Sequence, residues 1–232
     1  MLNTNEEKKD YWEILSAELS ETRRDKILNV ASSRTEHITL VIQDVTSEHN
    51  ICACLRSAEA FGIQHVHIVN EKKNYRISTV AKGSSSWLTI HNYKSISEAG
   101  IALQQADYTL CAAMPPHKEG VKPLRELNVE KPLALVFGNE HSGLSPEWDP
   151  YLSLFFTIPM YGFVESLNIS VSAAISMQTT LERAKDILKP EKFFLSEEAK
   201  KTLLDRWALK KIPHAEKKYD LLVSLRKHSI DF

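Results

Sequence analysis

A chain of 232 residues with 29 Lys and Arg against 30 Asp and Glu (net −1), 43% hydrophobic and 25% charged, lies within the range of folded globular proteins. Collagenous and disordered classes are excluded, and one core of roughly 150–250 residues with appended helices is expected. No stretch approaches the ~18 apolar residues of a membrane span; the opening Met1-Leu2-Asn3-Thr4-Asn5-Glu6-Glu7 lacks a secretory pattern, and Cys52, Cys54 and Cys111 cannot all pair, so a reduced cytoplasmic chain with no membrane partner is expected.

Residues 6–31 read as one or two helices. Tyr11, Leu15 and Leu19 recur at four-residue spacing beside Trp12, and Thr22 with Asp25 resembles a capping box. A strand-like run follows from Ile38 to Val45, then a helix over 50–61 and a second strand, His65 to Val69. Trp87 to Ile90 reads as a third strand and residues 95–105 as a helix. Further strands are Tyr108 to Ala113, Leu133 to Phe137 and Leu154 to Ile158. A long helix from Leu167 to Leu188 carries Val171, Ala174, Ile175, Leu181 and Leu188 on one stripe, and Pro190 ends it. Two more helices follow, near 196–211 and 215–227.

Continuously apolar strands alternating with helices indicate an α/β domain, a mostly parallel sheet covered by helices on both faces. It spans residues 36–185, with helical extensions over 1–35 and 186–232. Residues 183–232 hold 13 Lys and Arg against 8 Asp and Glu, a surplus of five balanced by an acidic remainder. That bias fits a solvated basic helix or a phosphate-facing surface equally well.

The seven glycines cannot be arranged into GxGxxG or GxxxxGK[ST], which removes a Rossmann fingerprint and a P-loop. Three segments carry the remaining chemistry. In the first, a polar loop leads into Asn50 to Arg56. Asn50 stands where a helix N-cap belongs, while Ile51, Leu55, Ala58 and Gly62 share a face that excludes Arg56. In the second, a buried strand runs into Phe137-Gly138-Asn139-Glu140, placing a carboxylate at the strand end as a cap or a site residue. In the third, Ile158-Pro159-Met160 opens an apolar loop that ends in Ser166-Leu167-Asn168-Ile169-Ser170. A loop both irregular and apolar is expected to be buried, with its backbone polar groups satisfied by a ligand such as an adenine ring. A metal centre is not expected. The thiols of Cys52 and Cys54 diverge by about 200° on a helix, and His65 with His67 share a strand face without further ligands.

Together the three segments resemble the signature motifs of the SpoU/TrmH group of SPOUT methyltransferases, in order and spacing, over residues 36–185. The flanking helical arms resemble the TrmH branch, which acts on tRNA. The resemblance implies a C-terminal deep trefoil knot, an exception to the rule against threaded chains, and a homodimer. It implies S-adenosyl-L-methionine as cofactor, held by Ala113, Met114, Phe137, Gly138, Ile158, Met160, Leu167 and Asn168. It implies 2′-O-methylation of an RNA ribose, with the D-loop guanosine of tRNA as the expected site. An rRNA 2′-O-methyltransferase of the same fold and a catalytically silent RNA-binding module stay as alternatives.

The implied catalytic set is Arg56, Asn50, Glu140, Ser166 and Asn168. Arg56 would serve as base or, since guanidinium normally stays charged, as stabiliser of the developing alkoxide. Asn50 would position Arg56 or the ribose, Glu140 would hold the arginine or the site geometry, and Ser166 with Asn168 would fix loop and substrate. Glu165 departs from the branch, which often has an amide there, and adds charge beside the cofactor loop.

Overall fold

The computed structural model describes residues 10–70, 83–115 and 120–228; the leading residues of the first expected helix lie outside them. Two compact units emerge: residues 34–194, and the described segments 10–33 with 195–228. The division falls at 194/195 rather than 185/186, because Leu188, Phe193 and Phe194 pack on the central core.

The central unit is built on seven strands, β1 (Ile38–Gln43), β2 (His65–Val69), β3 (Thr89–Tyr93), β4 (Thr109–Ala113), β5 (Val121–Pro123), β6 (Leu133–Phe137) and β7 (Leu154–Thr157). Their order is β3-β2-β1-β6-β4-β7-β5 and every pairing is parallel. All strand C-termini therefore share one edge, where ligands gather in such sheets. The central strands β1 and β6 are buried along their whole length. Their alternate residues serve two cores: Leu40, Ile42, Leu135 and Phe137 on one face, Val41, Ala134 and Val136 on the other. Both faces being covered is why these strands read as unbroken apolar runs.

The edges are less apolar, and sequence patterning is weaker there. Trp87 closes a short 3₁₀ turn and the third strand starts only at Thr89, running through the half-buried His91. The strand β5, with Lys122 at its centre, escaped notice altogether.

Helices α3 (Glu48–Ala60) and α5 (Ile169–Ile187) cover one face with α6 (Pro190–Phe193) beside them, and α4 (Ile96–Gln105) covers the other. The buried face of α5 differs from the apolar stripe expected. It carries Ile169, Ala173, Ser176, Met177, Thr180, Leu181 and Ala184, whereas Val171 is 45% and Ile175 37% exposed. Small residues let the helix approach closely, and Thr180 donates its hydroxyl to the Ser176 carbonyl within the helix. Of the expected stripe, Leu181 and Leu188 do pack on the core, while Val171 and Ile175 face outward.

The second unit contains α1 (Tyr11–Leu15), α2 (Glu21–Ser32), α7 (Glu197–Lys211) and α8 (Ala215–His228). Leu15, Ala208, Ile212 and Ala215 form its core, with Tyr11, Trp12, Leu19 and Tyr219 packed around them. Ser20, not Thr22, caps α2 by accepting from the Arg23 N–H. Lys201 pairs with Asp10 and Lys218 with Glu18 across the unit.

All three cysteines are free. Burial pushes the Cys54 and Cys111 thiols up to about 12, so neither is a nucleophile near neutral pH. Among the described residues no group of metal-ligating side chains converges. The histidines on β2 and β3 stack instead: the His67 ring lies 4.6 Å from that of His91, at 10° to it, and His91 stacks in turn on His65. Ring nitrogens here are taken up in hydrogen bonds: His65 Nδ1 lies 2.9 Å from His91 Nε2, and His67 Nδ1 3.0 Å from the Tyr93 hydroxyl. Tyr93, Tyr108, Glu36 and Glu98 complete the surroundings.

Burial, and then the neighbouring His91 and His65, hold His67 down to about 3 from its ordinary 6.5. The unfolded chain therefore takes up the proton first. The stability this neutral ring contributes is whole above pH 6.5 and fades as pH falls toward 3. Urea denaturation across that range should show the wild type losing up to about 1.4 kcal/mol per pH unit relative to His67→Leu; a pH-independent difference would refute it.

Candidate active site

The first loop begins where β1 stops. Gln43 is buried, its Oε1 accepting from the Trp148 indole and the Ser145 N–H. Asp44 then takes a left-handed conformation, φ 48°, a conformation that Asp tolerates better than most residues. The cap of α3 is Ser47, which accepts from the Asn50 N–H at 3.4 Å. Asn50 is not the cap: the helix starts two residues earlier, and its amide is released for other bonds.

The second loop leaves β6 as a tight turn. A Cβ at Gly138 would sit 2.3 Å from the Gly143 carbonyl oxygen and 2.4 Å from the Leu144 nitrogen, so the glycine is required by backbone packing within the turn. Asn139 and Gly143 exchange backbone hydrogen bonds across it. The Asn139 side chain accepts from the His141 and Ser142 N–H groups and donates to the Asp44 carbonyl at 2.7 Å. Asn139 thereby pins the second loop to the first. Its signal in the sequence is an Asx residue directly after a buried strand and a glycine.

The third loop, residues 158–168, joins β7 to α5, and it is not buried as its composition suggested. Tyr161, Phe163 and Val164 project outward, because the central unit leaves nothing packed over them among the described residues. The loop ends at Asn168, the cap of α5, whose Oδ1 accepts from the Ser170 N–H and hydroxyl.

One chain of side-chain hydrogen bonds joins the three loops. The Asn50 amide donates to Glu140 Oε1 at 2.9 Å, and its Oδ1 accepts from the Asn168 amide at 3.1 Å. The other oxygen of Glu140 accepts from the N–H and hydroxyl of Thr46. Thr46 was missed as a partner; a threonine in a polar loop carries no distinguishing pattern. Partial burial raises the Glu140 pKa, but hydrogen bonds from Asn50 and from the backbone of Glu140, Thr46 and Ser47 outweigh it and hold the carboxyl below the usual range. Glu140 is thus an anion at neutral pH with its lone pairs committed.

Beside this chain lies a cavity of about 170 Å³ at the ends of β4 and β7. Ala113, Met114, Ile158, Met160 and Leu167 line it, and Ser166 is there with them. Phe137, Gly138 and Asn168 are not in its wall. Phe137 is buried behind it, edge-on to the lining residue Phe156, and Gly138 serves the turn. Pro115, Thr157, Glu165 and Ser172 complete the lining.

Arg56 is exposed on α3. It follows Asn50 by six residues, about 9 Å of helix rise and some 120° round the axis. The bonds of Glu140 go to Asn50 and Thr46, and those of Asn50 to Glu140, Ser47 and Asn168, so neither holds the arginine among the described residues. Its charge is left available at the surface.

The Asn50–Glu140 contact should show as a coupling of about 1 kcal/mol in a double-mutant cycle of Asn50→Ala and Glu140→Ala followed by urea denaturation. Strict additivity would mean that the two groups act separately.

Comparison with known proteins places this geometry. Residues 37–178 match the SpoU rRNA Methylase family. A tRNA (guanosine(18)-2′-O)-methyltransferase from Borreliella burgdorferi is 32% identical over 192 residues, 82% of this chain and 86% of that protein. A 23S rRNA (guanosine-2′-O-)-methyltransferase from Neisseria meningitidis is 31% identical over 165 residues, 67% of this chain and 61% of that protein. The crystal structure of the Aquifex aeolicus TrmH/SpoU tRNA modifying enzyme superimposes with a TM-score of 0.72 at 28% identity, covering 83% of this chain and 98% of that one. With its parallel sheet, its three hydrogen-bonded loops and these relatives, the chain belongs to the SpoU methylase family of SPOUT fold.

Proposed function

We propose that this protein transfers a methyl group from S-adenosyl-L-methionine to the 2′-hydroxyl of a guanosine ribose in tRNA. The observation that carries the proposal is the Glu140–Asn50–Asn168 chain, which ties all three motif loops together at the ligand edge of the sheet beside an apolar cavity. The trefoil threading implied by the resemblance belongs to the same reading.

The residues present fit the adenosyl part of the cofactor. The cavity is smaller than the roughly 300–1,000 Å³ of a complete small-molecule pocket, as expected for the seat of one ring system. Its wall is mostly apolar, with Ser166 and Thr157 to bind polar edges and the Glu165 carboxylate to face positive charge. When bound, S-adenosylmethionine supplies an electrophilic methyl on a sulfonium. What remains for the protein is alignment, and activation of a hydroxyl that is a very weak acid. Arg56 would donate from its planar fork to an RNA phosphate and to the 2′-oxygen as that oxygen gives up its proton to solvent water. Asn50 and Glu140 act at one remove, holding Asn168 and the start of α5 in register with the first loop.

Recognition of tRNA is supported by the names of the relatives that reach furthest: those aligning over more than four-fifths of the chain are tRNA-modifying enzymes, while other tRNA-modifying relatives align, like the rRNA one, over about two-thirds. It is supported also by cations gathered in the second unit. Burial, and after it the charge of Arg206, pushes Lys210 down; burial, then Lys210 and Arg23, does the same for Lys211. The surplus of five positive charges over residues 183–232 points the same way, since each phosphate met would release a counterion. A homodimer is supported by the outward Val171 and Ile175 of α5. No described helix is long and apolar enough to cross a membrane, and a tRNA substrate implies a cytoplasmic setting.

Incubating the protein with methyl-labelled cofactor and total tRNA, then mapping the modified nucleotide, should give one 2′-O-methylguanosine. Arg56→Ala and Arg56→Lys should each cut incorporation by a factor on the order of 10² or more while binding of S-adenosylmethionine stays within about twofold. Label in rRNA alone would redirect the substrate assignment, and full activity in Arg56→Ala would remove the arginine from the mechanism.

A further inference from the structure

The third loop has two kinds of residue. At its ends, Ile158, Met160, Glu165, Ser166 and Leu167 line the cavity. Between them Tyr161 is 96% exposed and Phe163 fully so, on either side of Gly162, around which no atom would lie within 4 Å of an added Cβ. Two aromatic rings thus stand in solvent at the sheet's ligand edge, Tyr161 next to one cavity-lining residue and Phe163 two residues from another. Two residues of chain span at most about 7 Å, so an RNA ribose brought to the cavity mouth puts its own base, or the next one, within reach of the rings. Aromatic faces stack on unpaired bases with little regard to sequence, and covering a ring of this size removes 150–250 Å² from water.

Resting on the RNA methyltransferase reading, we infer that Tyr161 and Phe163 form a stacking platform for an unpaired base beside the reacting ribose. They are positioning residues for the substrate: they orient the nucleotide whose 2′-oxygen must meet the methyl donor, and they take no part in bond making. Gly162 places no side chain between them, and the space where its Cβ would stand is open. The outward Val171 and Ile175 of α5 form a separate exposed apolar pair.

Steady-state methylation of a tRNA transcript by the full chain and by Tyr161→Ala, Phe163→Ala, the double variant and Tyr161→Phe tests this, with calorimetry of S-adenosylmethionine binding and sedimentation velocity on each. Each alanine should lower kcat/KM for tRNA by roughly tenfold, chiefly through KM. Tyr161→Phe, which keeps the ring, should stay within about twofold of wild type. Cofactor affinity, oligomeric state and melting temperature should not change. Wild-type kinetics in the double variant would overturn the platform, as would loss of cofactor binding or dissociation of a dimer, which would make the rings a cofactor lid or a subunit contact. A wild-type protein that methylates no RNA would sink the functional reading itself and this inference with it; an active wild type with unaffected variants would sink the platform alone.

Discussion

The structure depends on one hydrogen-bonded relay, in which a single asparagine side chain uses both ends of its amide. Asn50 gives its N–H to Glu140 and its oxygen to Asn168, bridging segments separated by 90 and 118 residues. Each of the three loops leaves a different parallel strand, and nothing in strand pairing fixes them to one another. An anionic Glu140 makes the first bond charge-assisted, and such bonds are roughly twice as strong as neutral ones. The second loop adds its own anchor through Asn139 and Asp44. Loops that leave different strands are joined in this way by side-chain hydrogen bonds.

The sheet makes the relay possible. Seven parallel strands deliver all their C-terminal ends to one side, and the two central strands are buried along their length so that those ends are held by packing on both faces. The close seating of α5, with Ala173, Ser176 and Thr180 turned inward, sets where Asn168 falls at the helix start. A bulkier face on that helix would lift Asn168 away from Asn50. Packing and polar geometry are therefore one constraint seen at two levels.

Much of this was legible in the residues, and the gaps have physical causes. Central strands were readable because double burial demands unbroken apolar runs; β5 and the true start of β3 were not, since edge strands tolerate Lys122 and His91. The inward face of α5 is only partly legible, through Leu181 and Leu188, because close packing elsewhere along it selects small and hydroxylated side chains. In the sequence Asn50 stands where a cap belongs, yet Ser47 holds that position. Which of two neighbouring polar residues caps a helix depends on where the other one is needed, and that need arises 90 residues away. The third loop was expected inside and lies partly outside: composition reports that Tyr161 and Phe163 are apolar, not what covers them.

The measurement closest to the central claim is a calorimetric titration of the purified protein with S-adenosylhomocysteine, repeated on Asn50→Ala. If the relay is what assembles the cofactor seat, the wild type binds saturably with one site per chain and the variant, still folded, binds at least tenfold more weakly. No heat of binding in the wild type, or equal affinity in the two proteins, would contradict it.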